Sequence, residues 1–206
     1  MPSVLLIHGG LWEDTEADWF WQRTGIIDGL ATRGFTVIAP DRLRRAPSWA
    51  AEASHIAAGP ELPGEPMTVV GGSFGCAVAV RLALDFPGRV GRLVLAWPAS
   101  TGDQFARIRV RAGLARLGSP TAVLDALLGT ETVPSATDAE LRTLHAPAGV
   151  VPSVPPNALH PRSAVEALLR LLPSVVELPG YPPASRPEFA SQLESFVGTL
   201  AGFARG

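Results

Sequence analysis

Short apolar runs alternate along this chain with longer stretches of helical periodicity. The apolar runs predict six strands, at residues 3–8, 35–39, 67–71, 90–96, 149–152 and 175–178. The stretches between them predict helices at residues 16–33, 48–58, 74–86, 162–172 and 186–203. Strands that alternate with helices are typical of βαβ units, whose parallel sheet is covered on both faces. The sequence therefore predicts an α/β fold with a doubly wound, mainly parallel six-stranded sheet.

The strand pattern is interrupted between residues 101 and 146. Three helical segments fit into this interval, at about residues 103–117, 121–128 and 138–144. Helices inserted between two strands lie over one edge of a sheet. We therefore expect a single domain over residues 1–206 with a small helical cap at about residues 101–146.

Composition narrows the functional classes. The chain has 206 residues, of which 47% are hydrophobic and 17% charged, which suits one globular domain with a substantial core. The net charge is −2, and the only cluster of basic residues that stands out along the sequence is Arg42, Arg44 and Arg45. We therefore expect no nucleic-acid partner. Cys76 is the single cysteine, which excludes an internal disulfide and cysteine-based metal clusters. No cofactor or metal is expected.

Neither a signal peptide nor a membrane span is predicted from the sequence. The N-terminus runs directly into a strand-like segment, without a charged region and cleavage site. No apolar run reaches the length needed to cross a bilayer. We expect a cytoplasmic protein without membrane contacts, and the sequence does not predict its oligomeric state.

The segment Gly71-Gly72-Ser73-Phe74-Gly75 carries the clearest chemical signal. It is a G-x-S-x-G motif that directly follows an apolar strand and opens a helix, which is the context of a nucleophile elbow. Glycines flank the serine because larger side chains would collide with neighbouring backbone. The N–H groups at the start of the helix can stabilise a developing oxyanion.

Two further turns occur in the same order around this motif. His8-Gly9-Gly10-Leu11 closes the first predicted strand, and Pro40-Asp41-Arg42 follows the second. With the elbow after the third strand, the chain resembles the α/β-hydrolase family over most of its length, in a minimal form. The resemblance implies the strand order 2-1-3-4-5-6 and an active site at the carboxyl ends of the strands. It also implies an oxyanion hole formed by the N–H of Phe74 and that of Gly10 or Leu11.

The serine's usual partners are replaced in this sequence. The family places an acid after the strand that is fifth here and a histidine after the sixth. Asn157 stands in the acid's place, and no histidine follows the sixth strand, where Tyr181 occupies roughly the expected position.

Topology restricts the choice of a general base, which a serine hydroxyl needs. Of the four histidines, His55 and His145 are predicted at the amino-terminal end of the sheet, away from the elbow. His8 and His160 are predicted at the catalytic end. His160 is the better candidate for the base, because its loop is long enough to reach inward, although it can also be explained as a loop residue hydrogen-bonded to backbone. His8 is a second candidate, which can also be explained as a residue that holds its turn by hydrogen bonds. An unconventional base is the third alternative.

Other side chains at the predicted catalytic end have several interpretations. Asp41 and Asp103 are candidate carboxylates to orient a histidine, although each also fits a structural role, Asp103 as a helix N-cap. Trp12, Trp97 and Tyr181 are candidates for the wall of a substrate pocket. All three aromatic residues can equally be explained by packing.

Three functions remain open at this point. The first is a serine hydrolase of the esterase, thioesterase or lactonase type, acting on a small-molecule ester through Ser73 with weak turnover. The second is a degenerate, non-catalytic relative that binds a small ligand or a partner. The third is a non-hydrolytic catalyst that uses the oxyanion hole for an elimination or rearrangement.

Overall fold

A computed structural model describes residues 1–12, 15–129 and 132–206, and it contains one six-stranded sheet. The strands are β1 (Ser3–Ile7), β2 (Thr36–Ile38), β3 (Met67–Gly72), β4 (Val90–Ala96), β5 (Ala148–Val151) and β6 (Val175–Glu177). All neighbouring strands pair in parallel, in the order β2-β1-β3-β4-β5-β6. The predicted sheet and its strand order are thereby confirmed, with strand boundaries shifted by at most one residue.

Eight α-helices connect and flank these strands in the described part of the chain. They are α1 (Ile26–Ala31), α2 (Trp49–Ala57), α3 (Gly75–Asp85), α4 (Gln104–Arg116), α5 (Thr121–Leu127), α6 (Asp138–Leu141), α7 (Arg162–Leu171) and α8 (Leu193–Arg205).

Two long predicted helices are each divided in the structure. The segment predicted as one helix over 16–33 contains a π-helical turn, Asp18–Gln22, followed by α1. Gly25 separates them with a φ of 83°, a left-handed conformation that glycine adopts without strain and that interrupts a right-handed helix. The segment predicted as one helix over 186–203 begins as a 3₁₀ turn, Pro187–Gln192, before α8.

The core consists of two apolar layers, one on each face of the sheet. Side chains alternate along a strand, so that Leu5 and Ile7 of β1 pack with α2, α3 and α7, while Val4 and Leu6 pack with α1 and α8. Because both faces are covered, nearly every residue of the central strands is apolar. This explains why the strands could be recognised as continuous apolar runs.

The helices α4, α5 and α6 lie between β4 and β5, in the interval where the sequence predicts the cap segments. Helix α4 borders a cavity at the carboxyl ends of the strands. Among the described residues, no helix has the length and apolar character required to cross a lipid bilayer.

Candidate active site

Ser73 occupies a sharp turn between the end of β3 and the start of α3. Its φ is 53°, in the left-handed region that a non-glycine residue rarely adopts. The backbone N–H of Ser73 donates a hydrogen bond of 2.9 Å to the carbonyl of Ala96 at the end of β4. The strained turn is thus fixed to the neighbouring strand, as expected of a nucleophile elbow.

The glycines of the motif allow the close packing of backbone around this turn. A methyl group at Gly71 would lie 2.6 Å from the carbonyl oxygen of Gly75, and one at Gly75 would lie 2.6 Å from that of His8. Both distances are below van der Waals contact. The proposed reason for the flanking glycines, collision with nearby backbone, is therefore correct.

The structure brings Ser73 and His160 together. The Oγ of Ser73 lies 2.9 Å from Nε2 of His160, within the range of direct proton transfer. His160 lies on the loop between β5 and α7, and the N–H of Ser100, beyond β4, donates to the carbonyl of the adjacent Leu159 at 2.9 Å. This bond ties the loop to the catalytic edge of the sheet.

Asn157 holds the other side of the His160 ring. Its Oδ1 accepts hydrogen bonds from the backbone N–H groups of Leu159 and His160, each at 3.0 Å. Its Nδ2 lies 3.3 Å from Nδ1 of His160. An amide thus contacts the imidazole where a serine–histidine–acid triad has a carboxylate.

Burial, followed by the positive charge of Arg186, lowers the pKa of His160 to about 4. Because this pKa lies well below 7, the imidazole is neutral at physiological pH. A neutral imidazole carries one proton, which leaves one ring nitrogen as a donor and the other as an acceptor.

His8 has a structural role in the turn after β1. Its Nδ1–H donates to the carbonyl of Gly9 at 2.8 Å, and its Nε2 accepts from the backbone N–H of Arg42 at 3.0 Å. Burial, followed by the charge of Arg42, lowers the pKa of His8 to about 4. Since both ring nitrogens are engaged with backbone, the alternative that made His8 the base does not agree with the structure.

A buried ion pair that was not predicted from the sequence supports the same turn. Two nitrogens of the Arg42 guanidinium, Nε and Nη2, donate to the Glu52 carboxylate, at 2.6 and 2.8 Å. The Nη1 of Arg42 donates to the carbonyls of His8, Gly9 and Gly10. These hydrogen bonds from Arg42 to three successive carbonyls fix the conformation of the turn that packs against the elbow.

The three residues whose N–H groups are predicted to form the oxyanion hole line the same cavity as Ser73. Gly10, Leu11 and Phe74 all line it, and among the described residues their N–H groups have no hydrogen-bond acceptor. Gly9 packs against the elbow, since a methyl group there would lie 3.1 Å from Cβ of Ser73. The two turns are therefore adjacent, as an oxyanion hole requires.

The cavity at this edge of the sheet measures about 1220 Å³. Ser73 and His160 both border it, and helix α4 forms part of its wall. Its charged residues, within the part of the chain that the structure describes, are Arg109, Arg116 and Arg186, all of them exposed to solvent.

Only one of the three predicted pocket aromatics lines the cavity. Trp97 borders it, although the side chain is mostly buried against Phe196, with ring centroids 5.0 Å apart. Trp12 does not line it, and its Nε1–H donates to the carbonyl of Ala46 at 2.9 Å.

Tyr181 is likewise absent from the cavity wall, so its prediction as a pocket residue is wrong. Its hydroxyl lies 2.8 Å from those of both Ser195 and Thr199 on α8, and the residue is buried in the apolar layer packed against that helix. Tyr181 therefore belongs to the core and has no direct access to a substrate.

The two candidate carboxylates have structural hydrogen bonds. Asp41 Oδ1 accepts from the N–H of Ala17, and Asp103 caps α4 by accepting from Ala106, each at 2.8 Å. No group of three or more His, Cys, Asp or Glu side chains in the described residues is arranged to hold a metal ion.

No protein-family model and no curated protein matches the chain. Solved structures do match. A meta-cleavage product hydrolase from Pseudomonas fluorescens IP01 is 21% identical, with a TM-score of 0.72 over 98% of this chain and 90% of that one. An α/β-hydrolase enzyme from a Mar Chica lagoon sediment metagenome is 18% identical, with a TM-score of 0.70 over 99% and 90%.

A third similar structure is a serine hydrolase from Cycloclasticus zankles. It is 16% identical, with a TM-score of 0.69 over 100% of this chain and 90% of that one. Identities this low establish the fold and not the activity. Together with the strand order and the serine on its elbow, they show that this chain has the α/β-hydrolase fold.

Proposed function

We propose that the protein is a serine hydrolase that cleaves small esters, thioesters or lactones with low turnover. The observation that carries this proposal is the 2.9 Å distance between Ser73 Oγ and His160 Nε2 at the border of a large cavity. A serine hydroxyl is a weak nucleophile unless a base stands within reach of its proton. His160 meets this requirement, and it does so from the loop after β5.

In the proposed reaction, Ser73 Oγ attacks the ester carbonyl carbon while its proton moves to Nε2 of His160. The negative charge on the carbonyl oxygen is stabilised by the N–H of Phe74 and that of Gly10 or Leu11. Collapse of the intermediate breaks the bond to the leaving group, which takes the proton from His160. Water then hydrolyses the acyl-serine by the same steps, and Ser73 is regenerated.

The cavity lining supports a particular range of substrates. Apolar side chains such as Leu11, Phe20 and Val110 suit an apolar acyl part. Positively charged side chains at its border disfavour cationic esters. We propose a small-molecule substrate in the cytoplasm as the setting of this activity.

The competing function is a non-catalytic binding protein on the same fold. The amide of Asn157 in the place of a carboxylate favours it, because a triad that lacks its acid loses much of its rate. The same cavity would then bind a small ligand without cleaving it.

Hydrolysis of p-nitrophenyl acetate and butyrate distinguishes the two functions. We expect ester cleavage that is abolished in Ser73→Ala and retained in Ser54→Ala, a matched change at an exposed serine of α2. Hydrolysis that is equal in wild type and Ser73→Ala would refute the proposed activity and favour the binding protein.

A further inference from the structure

We infer that Asn157 is a positioning residue that keeps the proton of the neutral His160 imidazole on Nε2, the nitrogen facing Ser73. The resting site is then held in a form in which His160 donates to the serine, and the ring must change tautomer before Nε2 can accept the serine proton. This inference rests on the proposed function and explains why its turnover would be low.

The orientation of the Asn157 amide is determined by backbone. Two N–H groups, of Leu159 and His160, point at the same atom, which must therefore be the carbonyl oxygen Oδ1. Rotating the amide by 180° would place its NH₂ against two other donors and lose both hydrogen bonds. The amide nitrogen Nδ2 is consequently the atom that faces Nδ1 of His160, at 3.3 Å.

This orientation selects one tautomer of the imidazole. An amide NH₂ is only a donor, so Nδ1 of His160 must be the acceptor and carry no proton. The proton of the neutral ring is then on Nε2, which donates to Ser73 Oγ over 2.9 Å. The other tautomer, the one that can accept the serine proton, would place Nδ1–H against the NH₂ of Asn157.

Accepting the serine proton is unfavourable for the same reason. The imidazolium that forms during attack has N–H on both nitrogens, and a carboxylate would stabilise it, whereas the Asn157 NH₂ opposes it. Arg186 is the charged side chain of the described residues that acts on His160, and its positive charge also disfavours the imidazolium. The two side chains within hydrogen-bond distance of the ring, Ser73 and Asn157, carry no negative charge that would stabilise the imidazolium.

Asn157→Asp is the change that would reverse this arrangement with little disturbance of the loop. The carboxylate has the shape of the amide, so one oxygen can keep the bonds to the Leu159 and His160 amides. The second oxygen then faces Nδ1 and accepts a hydrogen bond from Nδ1–H. With the ring proton on Nδ1, Nε2 is unprotonated and can accept the proton of Ser73. Asn157→Ala, in contrast, removes the contact without supplying an acceptor.

The experiment measures the rate of covalent labelling by a fluorophosphonate probe from pH 4 to 9. Labelling forms a Ser73 Oγ–P bond and breaks the P–F bond, with loss of fluoride and transfer of the serine proton to His160. We expect Asn157→Asp to label about 10²- to 10⁴-fold faster than wild type, since the wrong tautomer costs about 10⁴ in serine proteases. The acid limb of its pH profile should also move to higher pH, because a carboxylate raises the pKa of His160.

Asn157→Ala controls for loss of the loop contact, and we expect no acceleration in this variant. A folded Asn157→Asp protein that labels at the wild-type rate with an unchanged pH profile would overturn the inference but leave the proposed hydrolase intact. Absence of Ser73-dependent labelling in both wild type and Asn157→Asp would overturn the proposed function as well.

A second measurement tests the tautomer in the wild-type protein and needs no folded variant at position 157. Nitrogen-15 NMR of the histidine side chains distinguishes protonated from unprotonated ring nitrogens, and His160→Gln assigns the signal. We expect a protonated Nε2 and an unprotonated Nδ1 for His160 at pH 7. The reverse pattern would overturn the inference.

Discussion

Substitution of Gly75 by alanine tests whether the elbow depends on close packing of backbone. The added Cβ would lie 2.6 Å from the His8 carbonyl oxygen and even closer to that of Ile7, both in or beside β1. A backbone carbonyl in a central strand cannot rotate away as a flexible side chain can. Overpacking of this kind costs about 1–3 kcal/mol and more when backbone must move, so we expect Gly75→Ala to lose about 3 kcal/mol or more.

Urea unfolding followed by tryptophan fluorescence measures this loss as a change in the free energy of unfolding. The matched control is Gly198→Ala in α8, where nothing lies within 4 Å of the added methyl group. Because alanine is the better helix former, this variant should be more stable than wild type by about 0.5–1 kcal/mol. If Gly75→Ala were as stable as wild type, the account of why the motif needs its glycines would be incorrect.

Three further predictions concern the ionisable groups. Glu52→Gln leaves the buried charge of Arg42 without a counterion and should lower the free energy of unfolding by about 3–5 kcal/mol, as measured in urea. Arg186→Gln removes a charge that lowers the His160 pKa, so the acid limb of the labelling rate should move to higher pH. His8 and His160 each have a pKa of about 4 in the folded protein, against 6.5 in the unfolded chain. Between pH 4 and 6.5 the unfolded chain therefore binds more protons than the folded protein. Stability should therefore fall as pH drops from about 6.5 to 4, by at most about 3 kcal/mol for each histidine, and His160→Gln should remove its share in urea titrations at pH 7 and 4. Unchanged stability of Glu52→Gln would contradict the buried ion pair, and an unchanged acid limb in Arg186→Gln would contradict the effect of that charge on His160. Stability that does not fall between pH 6.5 and 4 would contradict the burial of the two histidines.

The sheet could be predicted from sequence because each central strand is buried on both faces. In β4, for example, Leu93 and Leu95 face one apolar layer and Val94 and Ala96 the other, which leaves a continuous apolar run. The end of each strand was marked by glycine, proline or a polar residue. Topology then assigned Ser73 and His160 to the same edge, since parallel strands have their carboxyl ends together.

The direction of loop side chains could not be predicted in this way. Trp12 and Tyr181 lie at the correct edge of the sheet, yet their rings are directed by hydrogen bonds and packing that no periodicity encodes. The partnership of Arg42 and Glu52 was also missed, although one signal was available. Glu52 lies on the apolar face of α2, three residues after the buried Trp49, and a carboxylate in such a position requires a buried partner.

The contacts of Asn157 required coordinates for a similar reason. The sequence shows an asparagine in the place of an acid, but not which of its side-chain atoms faces the histidine. That orientation depends on two backbone N–H groups of a loop. It decides which ring nitrogen of His160 carries the proton, and hence how reactive Ser73 can be.

The most direct test of the serine–histidine pair is the mass of the intact protein after incubation with a fluorophosphonate, followed by peptide mapping. We predict a single adduct at Ser73 that is absent from Ser73→Ala and forms much more slowly in His160→Gln. A protein that stays unmodified, or an adduct whose rate is the same with and without His160, would contradict the assignment of these two residues as nucleophile and base.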